Sequence, residues 1–165
     1  MKETTENGGE KMFLTDEEKK QLSEAIARIP EVKLAYLYGS YATGLANENS
    51  DIDIAMVLKE HTAQVNSIRT EINVSLKLEE VLNSNKEIEV RFVNDAPIYF
   101  LNEAVNKGIP LFSSSELERN EFEARVMMEY LDFEPVNDLY NSYREQRIKR
   151  GEFGVKYRRH NPAAG

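Results

Sequence analysis

The stretch 36–58 constrains this chain more than any other part of the sequence. It places Gly39-Ser40 directly after one apolar run, and it places Asp51 and Asp53 at the start of a second apolar run. Residues two apart on a strand point to the same face, so we expect the two aspartates to share one face of a sheet. Neighbouring carboxylates repel each other unless a cation lies between them, and Mg²⁺ takes such oxygen ligands together with substrate phosphates. The spacing therefore predicts a divalent-metal site.

Gly39-Ser40 is typical of a phosphate-binding turn. A strand that turns sharply into a helix at a glycine lets backbone N–H groups approach phosphate oxygens, and the helix N-terminus favours negative charge. Ser40 can donate its hydroxyl to the same phosphate. Gly44 suits a tight exit from the short helix, and the residues Asn47 to Asn49 indicate a turn. The segment therefore predicts a phosphate site beside the metal site.

The residues of this stretch resemble a family signature. Those that carry the resemblance are Gly39-Ser40, Ala42, Gly44 and Ser50-Asp51-Ile52-Asp53-Ile54. They are similar to the polymerase-beta-type nucleotidyltransferase superfamily, and the short chain resembles its minimal branch, the MntA-type antitoxins that pair with HEPN-domain toxins. Tyr41 stands where this family often has arginine, so no role is carried over to it. The resemblance runs from about Thr15 to Gly154 and implies the nucleotidyltransferase fold, an α+β (α/β) architecture whose small mixed β-sheet is flanked by helices, with C-terminal helices.

A further strand, predicted from Glu87 to Val93, alternates between charged and apolar residues. Such alternation is typical of a half-solvated strand. If this strand lies beside the strand of Asp51 and Asp53, it also brings a third carboxylate to the metal site. The residues alone leave the choice between Glu87 and Glu89 open. The resemblance aligns Glu89 with the third acid of the family, which is usually aspartate.

Composition excludes several classes of function. The chain has 165 residues, 41% of them hydrophobic, which suits one globular domain with a sizeable core. It has no cysteine, which excludes disulfides, thiolate catalysis and cysteine-ligated metals. The net charge of -8 argues against direct nucleic-acid binding, and no apolar run approaches the roughly 18 residues of a membrane span. We therefore expect a cytoplasmic protein without a membrane segment.

The order of polar and periodic segments predicts three parts. They are a mobile leader at 1–11, a single nucleotidyltransferase domain at 12–154 and a basic, flexible tail at 155–165. The first helix begins at Thr15, whose spacing to Glu18 fits a capping box. Its buried stripe is expected to contain Leu22, Ala25, Ile26 and Ile29, and Pro30 closes it.

Strands and helices alternate through the middle of the chain. Strands are predicted at about Val32 to Tyr38 and Ile52 to Leu58, with Ile52 and Ile54 facing the core. A longer helix carries Val65, Ile68, Ile72, Leu76 and Val81 at helical spacing, a stripe that we expect to pack on the sheet. After Pro97 a helix ends at Gly108, and residues 109–112 form a short edge segment because they include Pro110.

Two further helices are predicted near the C-terminus. The first begins at about Glu116, and we expect its Phe122 and Val126 in the core. Pro135 is expected to break it, because proline lacks the N–H that a helix requires. The residues Met127, Met128, Tyr130, Tyr140 and Tyr143 suit either the core or a protein interface.

The resemblance implies a function and a partner. It implies transfer of AMP from ATP to a tyrosine of a HEPN ribonuclease toxin by Mg²⁺-assisted in-line displacement, with two Mg²⁺ ions. The expected catalytic and metal-binding residues are Asp51, Asp53 and Glu89, and the expected nucleotide-binding residues are Gly39, Ser40, Asp51 and Asp53. Two alternatives stay open, namely a small-molecule (aminoglycoside-like) nucleotidyltransferase and a non-enzymatic antitoxin that blocks its toxin by binding.

Overall fold

The computed structural model describes residues 2–4, 10–60, 68–83 and 86–152. In chain order the elements are β1 Lys2–Thr4, β2 Glu10–Met12, α1 Asp16–Ile26, β3 Val32–Tyr38, α2 Gly39–Thr43, β4 Ile52–Leu58, α3 Ile68–Leu82, β5 Ile88–Phe92, α4 Ile98–Asn106, β6 Ile109–Ser113 and α5 Glu116–Lys149. The chain divides into two compact units, Met1–Tyr130 and Leu131–Gly165.

The first unit is built around a four-stranded sheet in the order β5-β4-β3-β6. The strand β3 is antiparallel to both β4 and β6, whereas β4 and β5 are parallel and are separated in the chain by α3. Two parallel strands need a crossover connection of this kind, because a tight turn can join only antiparallel strands. The predicted small mixed sheet flanked by helices is confirmed. Pro110 lies in β6 at the edge of the sheet, where a missing N–H is tolerated.

The two faces of the sheet carry separate apolar clusters. Residues of β4 with even numbers, Ile52, Ile54, Met56 and Leu58, pack in one cluster with Leu22 and Ile26 of α1 and Val74 and Leu78 of α3. Those with odd numbers, Ala55 and Val57, pack in the other cluster with Leu101 of α4 and Phe122 and Val126 of α5. The core positions predicted for Ile52, Ile54, Phe122 and Val126 are therefore confirmed. Asp53, which also has an odd number, lies on the face of the second cluster.

The first helix begins as its sequence predicts. The Thr15 hydroxyl accepts a hydrogen bond from the Glu18 N–H at 3.1 Å, and the Glu18 carboxylate accepts one from the Thr15 N–H at 2.7 Å, which completes the capping box. Leu22 and Ile26 are fully buried. Ala25 and Ile29 pack against the same cluster while partly exposed.

The stripe predicted for α3 is wrong. The apolar residues exposed on this helix are Ile68, Ile72, Leu76 and Val81, whereas the buried ones are Val74, Leu78 and Leu82. Val65 lies outside the described residues. The physical reason is that a polar row on α3, made of Glu71, Ser75 and Glu79, hydrogen-bonds the edge of β5 and so decides which face of the helix meets the sheet.

The break predicted at Pro135 is also wrong. Helix α5 continues through this residue from Glu116 to Lys149. Proline removes one hydrogen bond and bends the preceding turn, but it does not prevent helical backbone on either side. In the second unit the large apolar side chains exposed on α5 are Leu131, Val136, Leu139, Tyr140, Tyr143 and Ile148.

A short two-stranded ladder lies near the N-terminus. The backbone of β1 pairs with β2 in an antiparallel ladder, Lys2 opposite Met12 and Thr4 opposite Glu10, within the segment expected to be a leader. The tail predicted at 155–165 lies outside the described residues. In the described part of the chain, no helix combines the length and apolar character needed to cross a membrane.

Candidate active site

Three polar side chains form a row across neighbouring strands. Asp53 of β4 lies opposite Tyr38 of β3 on one side and opposite Glu89 of β5 on the other. The residues alone left Glu87 and Glu89 open, and the resemblance favoured Glu89. The register places Glu89 beside Asp53, while Glu87 precedes β5. Residues in register across adjacent strands point to the same face, so the carboxylates of Asp53 and Glu89 converge.

Asp51 joins these carboxylates from the turn before β4. The turn is held by the Asn47 N–H donating to the Ser50 hydroxyl at 2.9 Å and by the Ser50 N–H donating to the Asn47 carbonyl at 3.0 Å. Asp51 and Glu89 line the same groove, of about 420 Å³. The structure therefore brings all three predicted acids to one end of the sheet.

The electrostatics of the site reflect how close the acids are. Burial raises the pKa of Asp53 above its ordinary value, and the charges of Glu89 and Asp51 raise it further, while Arg91 opposes the shift. Burial likewise raises the pKa of Tyr38 to about 12, with the Asp53 carboxylate adding to the effect. Such clusters of like charge favour a bound cation.

The turn before α2 is fitted to Asp53. Gly39 has φ +68°, which favours glycine, and a Cβ atom at this position would force the Asp53 carboxylate to move. Gly44 ends α2 in the left-handed conformation that the sequence predicts for a tight exit. Ser40 occupies the first turn of α2 and is partly exposed. The Gly39-Ser40 turn and the three acids thus share one end of the sheet.

Tyr41 is part of the core. It is only 2% exposed and packs in the cluster of the first face, and the Lys86 ammonium lies 5.4 Å from its ring centroid. An aromatic side chain at this position suits the buried side of α2.

The edge strand that carries Glu89 is held from outside by α3. The N–H groups of Ile88, Val90 and Phe92 donate to Glu79 Oε1 at 2.9 Å, Ser75 Oγ at 3.0 Å and Glu71 Oε1 at 2.7 Å, respectively. Four helical residues rise about 6 Å and two strand residues about 6.6 Å, so the two rows stay in step. At the far end the Asn94 side chain bonds both the N–H and the carbonyl of Leu58 at 2.8 Å. Glu89 is therefore presented on a fixed backbone.

Sequence reasoning missed Arg91. Its Nε and Nη2 donate to Glu89 Oε1 at 3.0 and 2.8 Å, and its guanidinium carbon lies 5.9 Å from the ring centroid of Phe100. Phe100 in turn meets Tyr38 edge to face, with 5.3 Å between ring centroids. The alternation of β5 contained the signal, because residues 89 and 91 share a face.

The three acids suit a hard divalent cation by their chemistry. Within residues 2–4, 10–60, 68–83 and 86–152, however, no group of three acidic, histidine or cysteine side chains is arranged to hold a metal ion. The carboxylate of Glu89 is engaged instead in an ion pair with Arg91. Asp51 and Asp53 could bind a cation directly, and Glu89 could complete the set by leaving Arg91.

Comparison with known proteins agrees with the geometry. Residues 20–117 match the family model of polymerase beta nucleotidyltransferases. A sequence search among curated proteins finds no match.

Solved structures with the same fold share little sequence identity with this chain. A chain of a toxin–antitoxin complex with AMP-PNP has a TM-score of 0.62 and 20% identity over 75% of this chain and 95% of that one. A chain of the MntA–HepT toxin–antitoxin complex has a TM-score of 0.59 and 17% identity over 78% and 97%. A chain from the complex of a tri-AMPylated Shewanella oneidensis HEPN toxin with its MNT antitoxin has a TM-score of 0.56 and 18% identity over 75% and 96%.

Proposed function

This chain is a nucleotidyltransferase of the polymerase beta family, and we propose that it is an antitoxin that transfers AMP from ATP to a tyrosine of a cognate HEPN-domain toxin. The observation that carries the proposal is the placement of Asp53 opposite Glu89, with Asp51 on the same groove and Gly39 against Asp53. This arrangement supplies oxygen ligands and a phosphate-sized turn at one end of the sheet.

The proposed roles follow from position. Asp51, Asp53 and Glu89 would hold two Mg²⁺ ions, which when bound neutralise phosphate charge and lower the pKa of the attacking hydroxyl. Gly39 and Ser40 would bind the β and γ phosphates through backbone N–H groups and the Ser40 hydroxyl. Glu89 would serve as a metal ligand or accept the proton of the tyrosine hydroxyl, because it lies beside Asp53, lines the groove and is about half exposed.

A protein acceptor is supported by two observations. The solved structures of the same fold come from toxin–antitoxin complexes, one of them with an AMPylated toxin. In this chain Met127 and Met128 are 50% and 69% exposed on α5, and exposed methionine suits protein contacts. The cytoplasmic setting expected from the sequence fits such a partner.

One observation favours a second candidate, the non-enzymatic antitoxin. The carboxylate of Glu89 is engaged by Arg91, and the described residues contain no closed set of three metal ligands. A protein with an incomplete metal site could still block a toxin by binding it.

Mass analysis of the partner separates the candidates. The full chain is purified from its host with whatever protein accompanies it, as wild type, as the double variant Asp51→Asn/Asp53→Asn and as the control Asp16→Asn, which removes an exposed carboxylate at the start of α1. We expect AMP-sized mass increments on the partner with wild type and control only. A partner bound by all three proteins and never modified would instead support blocking by binding, and AMP transfer to aminoglycosides alone would support the small-molecule enzyme.

A further inference from the structure

Arg91 holds Glu89 from the next position on the same face of β5. Both Nε and Nη2 of Arg91 donate to one oxygen, Glu89 Oε1, at 3.0 and 2.8 Å. The guanidinium therefore neutralises Glu89 at the place where a third metal ligand is required. Both side chains are about half exposed, Arg91 54% and Glu89 48%. Exposed ion pairs of this kind contribute little to stability, so this pair can exchange partners.

Arg91 also has a second partner, the ring of Phe100. It lines the groove of about 420 Å³ that contains Asp51 and Glu89, and it lines a neighbouring pocket of about 160 Å³ that contains Pro97 and Phe100. Its guanidinium carbon lies 5.9 Å from the Phe100 ring centroid, within the range of a cation–π contact. A guanidinium that leaves Glu89 can thus stay against this ring.

We propose that Arg91 is a positioning residue that competes with the metal for Glu89 and so sets the cation concentration at which the third ligand becomes available. The proposal rests on the proposed function, since it takes Glu89 as the third metal ligand. A divalent cation held by Asp51 and Asp53 would attract the Glu89 carboxylate more strongly than a single guanidinium at the same distance, because the interaction scales with charge.

The test is a double-mutant cycle read by metal binding. Mn²⁺ binding to the nucleotide-free full chain is followed by the EPR signal of free Mn²⁺ in wild type, Arg91→Gln, Glu89→Gln and the double variant. We expect Arg91→Gln to tighten Mn²⁺ binding about tenfold when Glu89 is present, because the variant removes the charged hydrogen bonds through which Arg91 competes for that carboxylate. In the Glu89→Gln background we expect Arg91→Gln to change the Mn²⁺ affinity by no more than about twofold, because Arg91 acts on the metal site through Glu89.

Two further variants separate competition from a general charge effect. Lys107→Gln removes another exposed, paired cation, that of the Lys107–Glu103 ion pair, and we expect unchanged Mn²⁺ affinity. Arg91→Lys keeps the charge without the two-nitrogen contact, and we expect an intermediate affinity. The proposal would be overturned by any of three results: Arg91→Gln tightens Mn²⁺ binding equally with and without Glu89, it does not tighten Mn²⁺ binding at all, or no variant binds Mn²⁺. AMP transfer is assayed separately, so an intact cycle without transfer would reject the proposed function alone.

Discussion

Gly39 lies so close to Asp53 that a Cβ atom on residue 39 would collide with the carboxylate of Asp53. Gly39 begins α2 directly after β3, and Asp53 lies in β4, so the two ends of the segment between these strands meet here. A hydrogen in place of a side chain at residue 39 leaves room for the Asp53 carboxylate in its present position.

Gly39→Ala should therefore impair both fold and activity. We expect a loss of roughly 10²-fold or more in the rate of AMP transfer, because the Asp53 carboxylate must move, and a stability loss of about 1–2 kcal/mol from the positive φ. The control is Gly151→Ala, since Gly151 also has a positive φ, +70°, but nothing lies within 4 Å of the position that its Cβ would take. Transfer rates and thermal melts measure both effects, and equal activity loss in the two variants would contradict the clash.

Asp53→Asn should abolish transfer while stabilising the fold at neutral pH. Burial and the neighbouring acids raise the pKa of Asp53 in the folded state, so the folded protein binds this proton more readily than the unfolded chain. The associated stability is present at low pH and is lost as pH rises through the folded pKa. We expect the melting temperature of Asp53→Asn to exceed that of wild type at pH 7 and the gap to close as pH falls below the ordinary aspartate value. Asp16→Asn should give no gain, and a lower melting temperature for Asp53→Asn at pH 7 would contradict the repulsion.

Ser75→Ala should weaken the edge of the sheet. It leaves the Val90 N–H without its acceptor at 3.0 Å, and an unsatisfied amide costs about 1–3 kcal/mol. Ser142→Ala is the matched control, because it also replaces a helical serine by alanine but lies on an exposed part of α5. Urea unfolding and hydrogen exchange at Val90 measure the effect. Equal unfolding free energies for the two variants would show that α3 does not hold β5 through this bond.

Met128→Lys should weaken binding of the partner without weakening the fold. Met128 is 69% exposed, so a charged side chain there costs the isolated chain little, but it is unfavourable in an apolar interface. Leu117→Lys is the control on the same helix, with 67% exposure. Pull-down of the co-purifying toxin and a thermal melt of each variant test the expectation. Equal retention of the partner by both variants would place the interface elsewhere.

The sequence by itself determined the local features of this protein. The spacing of Asp51 and Asp53, the strands on either side of Gly39, the capping box at Thr15 and the left-handed exit at Gly44 all follow from interactions within a few residues. Such interactions depend on backbone period and on local hydrogen bonds, which a sequence states directly.

Only the tertiary structure decided which residues meet across elements. Helix α3 carries two apolar stripes, and its hydrogen bonds to β5 select Val74 and Leu78 as the buried one. The parallel register places Glu89 rather than Glu87 beside Asp53. On the same strand, Arg91 donates a hydrogen bond to the Glu89 carboxylate. These outcomes depend on the packing of segments that are distant in sequence. Neither the two apolar stripes of α3 nor the two glutamates near β5 can be told apart by local sequence preferences, because only the tertiary fold determines their contacts.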